Sequence, residues 1–163
     1  MCFRVGSGFD FHRLSPNLPL ILGGILIPHN SGLEGHSDAD VILHAISDAM
    51  LGAAGLPDLG SHFPDTNPKY KDISSQILLK KVFCLVQETG LRLSNLDVTV
   101  IAEQPKLSPY VQTIKDNLAQ LLKINKSRIG IKATTMELTG PIGRGEGIAA
   151  QAVVLLVKEE TTA

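Results

Sequence analysis

The sequence predicts an α+β fold, in which a mainly four-stranded mixed sheet has helices on one face and a small β-hairpin beside it. Some segments alternate apolar with polar residues, as strands do, and three longer segments have helical start and stop signals. Glycine pairs and clusters mark tight turns between them. At 163 residues the chain fits one domain of roughly 100–200 residues, so we expect a single domain over residues 1–163.

The N-terminal part is predicted to form strands. From residue 3 to residue 12 apolar residues alternate with polar or small ones, which places Asp10 and His12 on one face of a strand. Two apolar runs, 20–22 and 25–27, are separated only by two glycines, a connection that suits a tight hairpin.

Three helices and three further strands complete the prediction. The helices, given with their capping residues, cover 37–54 from Ser37, 73–89 from Asp72 and 108–123 from Ser108. The strands cover about 97–102, 128–134 and 148–157, and a glycine-rich loop separates the last two. Because the run 149–157 is apolar at nearly every position, both faces of that strand should be covered, and we expect an oligomer.

Composition excludes several classes of partner. The net charge is −1 without a lysine- or arginine-rich run, which argues against binding to nucleic acid or an anionic membrane. The longest apolar stretch, 18–27, is about half as long as a membrane span. The first residues contain no apolar core of a signal peptide, so a cytoplasmic protein is expected, with Cys2 and Cys84 as reduced thiols.

One constellation indicates metal chemistry. Asp10 and His12 share a strand face, and His44 on the first helix would complete a set of one carboxylate and two imidazoles. Three protein ligands leave a position for water or substrate, which is typical of Lewis-acid catalysis rather than of a closed structural site. Asp40 and Asp48 lie four residues on either side of His44, so either is a candidate acceptor for its other ring nitrogen.

Other segments offer groups for an anionic ligand. His36 directly precedes the predicted cap Ser37 and is expected to face an anion at that helix N-terminus. The stretch 58–67 is rich in Pro, Gly, Asp and Asn and is predicted to be a binding loop. The segment 134–137 combines two hydroxyls with a carboxylate, which suit phosphate and Mg²⁺, and Arg144 could clamp a phosphate.

Five short motifs, taken in this order, resemble the 2-C-methyl-D-erythritol 2,4-cyclodiphosphate synthase family. They are Gly8–His12, His36–Asp40 with His44, Phe63–Thr66, Ala133–Thr135 with Glu137, and Gly143–Gly147. The resemblance runs from Arg4 to about Lys158 and implies a homotrimer, with its sheets facing the threefold axis and its active sites at subunit interfaces.

The resemblance also implies a reaction and its cations. In this family the 2-phosphate of 4-diphosphocytidyl-2-C-methyl-D-erythritol 2-phosphate attacks the β-phosphorus, closes a cyclic diphosphate and releases CMP, in the non-mevalonate route to isoprenoid precursors. The family is a group of phosphorus–oxygen lyases. Asp10, His12 and His44 match its Zn²⁺ ligands, and Glu137 matches the residue that holds Mg²⁺ or Mn²⁺ on the diphosphate.

The remaining site residues follow from the same resemblance. His36 and Thr135 match the positions that stabilise the transition state. The methylerythritol part and its phosphate would lie against Asp58, Leu59, Gly60, Phe63, Asp65 and Asn67. The cytosine would lie against the segment 102–108, with Ala102, Pro105, Lys106, Leu107 and Ser108, and Thr134 would be nearby. The substrate is also expected to contact Asp10, His12, His36, Ser37, Thr135, Met136 and Glu137. Pro141 and Arg144 would line an axial cavity that takes up isoprenoid diphosphates, where Pro141 replaces an aromatic residue of the family.

Two other functions use the same residues. A zinc-dependent phosphohydrolase would activate water at the three ligands and give linear products. A trimeric module that binds small molecules or isoprenoid diphosphates would hold the metal for structure alone and show no turnover. The three-ligand count favours an enzyme, because a purely structural zinc usually has a fourth protein ligand.

Overall fold

A computed structural model describes residues 2–158, so Met1 and residues 159–163 of the predicted domain lie outside the described residues. The strands are β1 (Cys2–Pro16), β2 (Leu20–Leu22), β3 (Ile25–Ile27), β4 (Ser31–Leu33), β5 (Arg92–Ile101), β6 (Ile129–Thr134) and β7 (Gly147–Lys158). The helices are α1 (Val41–Ala54), α2 (Leu59–His62), α3 (Ser75–Glu88), α4 (Val111–Leu122) and α5 (Gly140–Gly143). Two short 3-10 turns cover Pro68–Tyr70 and Lys126–Arg128.

The strands form one mixed sheet and one separate hairpin. The sheet order is β4-β1-β7-β5-β6, in which only β5 and β6 are parallel, and β2 pairs with β3. This confirms the predicted α+β class, with a fifth strand added, because β1 runs on to Pro16 and its end pairs with the short β4. The hairpin is also confirmed, and Gly23 and Gly24 adopt the positive φ angles that its turn requires.

Helix α1 packs directly on β1 because two glycines leave room for it. A Cβ atom at Gly8 would lie 2.1 Å from the carbonyl oxygen of Ala45, and one at Gly6 would lie 2.0 Å from that of Ala49. Such distances are far below van der Waals contact, so only glycine permits this approach. The close packing brings His44 of α1 to the strand face that carries Asp10.

The predicted start of α1 is wrong by three residues. The N-cap is Asp40 rather than Ser37, and its carboxylate accepts hydrogen bonds from the N–H groups of Ile42 and Leu43. The same buried carboxylate accepts from the backbone N–H groups of the two hairpin glycines, which ties the hairpin to the helix. Gly55 ends the helix in a left-handed conformation, as predicted.

The other predicted helix starts also need correction. Helix α3 is capped by Ser74 instead of Asp72, which lies in a turn at a φ of 56°. Helix α4 begins at Val111 rather than at Ser108, because residues 108–110 form a turn before it. The predicted binding loop, 58–67, contains α2, capped by Asp58, and ends at Asn67, which caps the 3-10 turn Pro68–Tyr70 that follows.

Helices cover one face of the sheet and leave an apolar surface on the other. Phe3, Val5, Phe9 and Phe11 alternate along β1 with residues that face α1, and Val5 is 69% exposed. Cross-strand pairing places Leu155 and other apolar residues of β7 beside this row. Among the described residues, no helix has the length and apolar content to span a membrane.

Candidate metal centre and substrate pockets

Three side chains converge between α1 and the face of β1 that packs against it. The Oδ2 atom of Asp10 lies 3.1 Å from Nε2 of His12 and 2.9 Å from Nδ1 of His44, and the two nitrogens are 3.3 Å apart. In a tetrahedral zinc site with bonds of about 2.0 Å, neighbouring ligand atoms lie roughly 3.3 Å apart. The predicted triad is therefore brought together with the spacing of one face of a coordination tetrahedron.

The hydrogen bonds of the ring fix the tautomer of His12. Its Nδ1 lies 2.7 Å from the carbonyl oxygen of Glu34, which can only accept, so Nδ1 carries the hydrogen. In the neutral ring Nε2 then has a free lone pair, and it is Nε2 that faces Asp10 and His44. The ring is already in the form that a metal ligand needs.

Electrostatics within the triad favour a carboxylate beside imidazoles. Burial raises the pKa of Asp10, but the hydrogen bonds and positive charges of His12 and His44 outweigh it and hold that pKa well below its usual range. Burial lowers the pKa of His12, but the hydrogen bond and charge of Asp10 outweigh this and raise the pKa above its usual value. A divalent cation replaces these protons with a stronger positive charge.

The predicted acceptors of the second His44 nitrogen are wrong. Asp40 is occupied as the cap of α1, and Asp48 accepts the backbone N–H of Leu59 at 2.7 Å. Nε2 of His44 instead lies 2.9 Å from Oγ of Ser75 and 3.2 Å from Oγ of Ser37. Sequence distance hid the contact with Ser75, because α3 lies 31 residues further along the chain.

A cavity of about 250 Å³ opens beside the triad. It is lined by the predicted metal ligand His44 and by seven residues predicted to contact the substrate, namely His12, His36, Ser37, Leu59, Gly60, Phe63 and Asp65. Asp10, Asp58 and Asn67 are not among its lining residues, and the side chains of Asp58 and Asn67 cap α2 and the following 3-10 turn. Sequence reasoning missed Tyr70, Ile73 and Leu78, which line the cavity from the segment entering α3.

His36 lies in the wall of this cavity. The prediction that it precedes the helix cap is wrong, because α1 starts four residues later, at Asp40. Its Nε2 is buried, and among residues 2–158 no hydrogen-bond partner reaches it. A buried ring nitrogen without a partner is unusual, and a ligand in the cavity would satisfy it.

A second cavity of about 180 Å³ lies at the ends of β5 and β6. Its lining includes Ala102, Pro105, Lys106, Leu107, Ser108, Thr134 and Thr135, all predicted to contact the substrate. Glu103, within the predicted segment 102–108, and Ala133, directly before Thr134, line it as well. The peptide bond before Pro105 is cis, which turns the chain around this cavity.

Neither cavity is lined by Met136, Glu137, Pro141 or Arg144, which follow Thr135 in the sequence. Thr135 donates a hydrogen bond to a Glu137 carboxylate oxygen at 3.0 Å, and Glu137 is exposed. The backbone N–H of Met136 donates to Glu103. Pro141 lies in the first turn of α5, and Arg144 is exposed and paired with Glu146 at 2.6 Å.

The triad and Thr134 lie near the same end of the sheet but on opposite faces. Strand register aligns Phe11 with Ala149, Ala149 with Ile101 and Ile101 with Thr134. Thr134 therefore shares the open face with Phe11, whereas Asp10 and His12 face α1. Three strand spacings, about 14 Å, also separate β1 from β6.

Comparison with known proteins decides the family. The sequence model of the YgbB family matches residues 3–157. The chain belongs to the YgbB family. A curated relative from a Geobacillus species is 55% identical over 157 residues, which are 96% of this chain and 99% of the relative. Its name is 2-C-methyl-D-erythritol 2,4-cyclodiphosphate synthase, as is that of a Bacillus cereus relative, 53% identical over the same shares.

Solved structures of YgbB relatives agree with this assignment. The bifunctional IspDF from Campylobacter jejuni aligns with a TM-score of 0.94 at 43% identity, over 99% of this chain and 44% of that one. A CDP complex of IspF from Plasmodium falciparum aligns with a TM-score of 0.86 at 34% identity, over 97% of each chain. The resemblance predicted from the five motifs is confirmed.

Proposed function

We propose that this YgbB protein converts 4-diphosphocytidyl-2-C-methyl-D-erythritol 2-phosphate to 2-C-methyl-D-erythritol 2,4-cyclodiphosphate and releases CMP. It is a phosphorus–oxygen lyase of isoprenoid precursor biosynthesis. The observation that carries the proposal is the triad of Asp10, His12 and His44, whose three ligand atoms converge as in a metal site. A relative matched over nearly its full length is named 2-C-methyl-D-erythritol 2,4-cyclodiphosphate synthase.

The donor set of the triad fits Zn²⁺. One carboxylate and two imidazoles are borderline ligands that zinc prefers, and three of them leave one position for a phosphate oxygen. When bound, the cation would withdraw electrons from the phosphorus centre and neutralise charge. Asp10 and His12 are held by β1 and His44 by α1, so the site depends on the packing of these two elements.

A second cation, Mg²⁺ or Mn²⁺, is proposed at Glu137. The exposed carboxylate is a hard oxygen ligand, and the hydrogen bond from Thr135 orients it while leaving its other oxygen to the ion. Thr135 is also proposed to contact the transferring phosphate. Thr134 and residues 102–108 are proposed to hold the cytidine.

No general base is needed, because the nucleophile is an ionised phosphate. The chain instead positions two anions that repel one another and supplies hydrogen-bond donors to the charge that develops. His36 suits this role, since its buried Nε2 is directed at no protein partner among the described residues. Leu59, Gly60 and Phe63 would exclude water and so favour ring closure over hydrolysis.

A homotrimer is proposed to complete each site. Within one chain the triad and Thr134 lie on opposite faces of the sheet, so one substrate cannot touch both. A second copy packed on the open face would bring its β6 edge to the triad of the first. The exposed apolar row on β1 supports such packing.

Two further expectations belong to the same proposal. An axial cavity of the trimer would present Arg144 to isoprenoid diphosphates, and Pro141 in place of an aromatic residue would fit a prenyl tail less closely. A cytoplasmic location, or a plastid stroma in a eukaryote, goes with this pathway, and several relatives are bacterial.

Phosphorus NMR tests the proposal directly. The protein is mixed with the substrate, Zn²⁺ and Mg²⁺, and we expect CMP together with two mutually coupled diphosphate signals and no other monophosphate ester from the substrate. CMP beside a linear bisphosphate would mean that water is the nucleophile. Binding without turnover would favour a module that only binds ligands.

A further inference from the structure

Ser75 and Asp38 lie behind His44, on the side of the ring that faces away from the triad. Oγ of Ser75 is 2.9 Å from Nε2 of His44. The same hydroxyl donates a short hydrogen bond to Oδ1 of Asp38, and the Ser75 N–H donates to Oδ2 at 3.0 Å. Ser75 is completely buried, at the first residue of α3.

The hydrogen positions between Asp38, Ser75 and His44 follow from how many hydrogens each group can donate. A carboxylate can only accept, so the single hydroxyl hydrogen of Ser75 is used on Asp38. Oγ of Ser75 therefore offers a lone pair to His44, and Nε2 of His44 must carry the ring hydrogen. Nδ1 lies 2.9 Å from the Asp10 carboxylate and becomes the ligand atom when it loses its own hydrogen on metal binding, while Nε2 keeps its hydrogen on Ser75.

We propose that Ser75 and Asp38 are positioning residues that hold His44 in the Nε2–H tautomer and thereby set the metal affinity of the triad. The inference rests on the metal site proposed above. The carboxylate also increases the basicity of the ring through the hydroxyl, which strengthens Nδ1 as a ligand. His12 is fixed in the complementary way by the carbonyl of Glu34, so both rings present the required nitrogen.

A backbone hydrogen bond ties Asp38 to the segment that leads into α3. The N–H of Asp38 donates to the carbonyl of Ile73, two residues before Ser75, so Asp38 and Ser75 move together with the start of α3. Ser37 makes a longer contact with His44, at 3.2 Å, and its Oγ accepts the N–H of Ala39 and lies 3.4 Å from Oγ of Ser75, to which its own hydroxyl can donate. Ser75 is therefore the principal acceptor for the His44 ring hydrogen.

The decisive variants are Ser75→Ala and its neighbour Ser74→Ala. Ser75→Ala removes the acceptor of His44, whereas Ser74→Ala removes the cap of the same helix without touching the ring. Zinc affinity is measured by competition with a chelator. We expect Ser75→Ala to bind zinc about 10- to 100-fold more weakly than the wild type, and Ser74→Ala to bind it as the wild type does. Ser75→Thr keeps the hydroxyl and should recover most of the affinity.

Nitrogen-15 NMR of the histidine rings in the metal-free protein gives a second readout. The wild type should show a hydrogen on Nε2 of His44, and both Ser75→Ala and Asp38→Asn should show a smaller Nε2–H fraction. Unchanged tautomer and zinc affinity in Ser75→Ala would overturn the inference. So would an equal loss of affinity in Ser74→Ala, which would reveal a purely structural effect of the helix start.

Failure of the metal site itself gives a different result. If the wild type binds no zinc and His12→Ala changes nothing, the proposed metal function falls, and the affinity role of Ser75 falls with it. The tautomer measurement, which uses no metal, would still show whether Ser75 and Asp38 fix the His44 ring.

Discussion

At the scale of single residues, the chemistry depends on three ligand atoms, and the loss of one side chain leaves the metal site incomplete. Replacing His12 by Ala leaves a carboxylate and one imidazole, and we expect zinc and CMP release to be lost together. The loss of zinc affinity should exceed the roughly 10- to 100-fold typical of outer partners. Metal content and turnover are measured on the same sample, with His29→Ala, an exposed histidine, as the control. A fully active His12→Ala protein without zinc would contradict the assignment.

The pKa of His12 predicts how zinc binding responds to pH. Burial lowers that pKa, but the hydrogen bond and charge of Asp10 outweigh it, so the net pKa is raised above its usual value. The proton on Nε2 must leave before zinc binds, so protons compete increasingly as the pH falls through this pKa. We expect the dissociation constant to rise about tenfold per pH unit below it, with proton release in calorimetry. A flat affinity between pH 8 and pH 5 would show that His12 is not a ligand.

Glu137 is expected to act on the second cation alone. Glu137→Gln removes the charge of the carboxylate but keeps an oxygen that accepts from Thr135. The Mg²⁺ concentration needed for half-maximal activity should therefore rise, while zinc content stays at the wild-type level. Activity is titrated with Mg²⁺ at saturating zinc, with the exposed Glu88→Gln as the control. Loss of zinc from Glu137→Gln would mean that the second ion has been assigned to the wrong residue.

Local sequence predicted the ligands better than their partners. The two-residue spacing of Asp10 and His12 fixes their common face in any strand, so this part of the site could be predicted. The partners of His44 could not, because Ser75 reaches it only through the packing of α3 against α1. The prediction of Ser37 as the N-cap of α1 was wrong for a related reason. Asp40 accepts hydrogen bonds from the buried N–H groups of the hairpin glycines, which need an acceptor.

At the scale of elements, the site depends on how closely α1 approaches β1. A methyl group at Gly8 would lie 2.1 Å from a helix carbonyl, so Gly8→Ala must push the two elements apart. We expect a loss of about 1–3 kcal/mol in unfolding free energy and a weaker zinc site, because His44 moves away from Asp10. Denaturant titration and zinc competition measure the two effects.

Gly52 provides the matched control within the same helix. Nothing lies within 4 Å of a Cβ atom built there, and it stands inside α1. Gly52→Ala should therefore stabilise the protein by about 0.5–1 kcal/mol through helix propensity, with unchanged zinc affinity. Equal effects of the two alanine substitutions would show that the close approach at Gly8 has no role in the site.

At the scale of the whole molecule, the apolar row on β1 predicts how assembly and activity are linked. Val5 is 69% exposed in the isolated chain, and Leu155 lies opposite it on β7. A charge buried there without a partner would oppose packing of the sheets, so Val5→Glu should abolish the trimer. Light scattering should give three times the 17.5 kDa of one chain for the wild type, and a single chain for the variant.

The same variant separates the metal site from the complete active site. Asp10, His12 and His44 come from one chain, so monomeric Val5→Glu should still bind about one zinc per chain. Its turnover should nevertheless be lost, because no neighbouring chain supplies Thr134 and Glu137 to the triad. Ile77→Glu, at an exposed apolar residue on the helical side, is the control and should remain trimeric and active. An active Val5→Glu monomer would place both cation sites of one reaction within a single chain and refute the shared site.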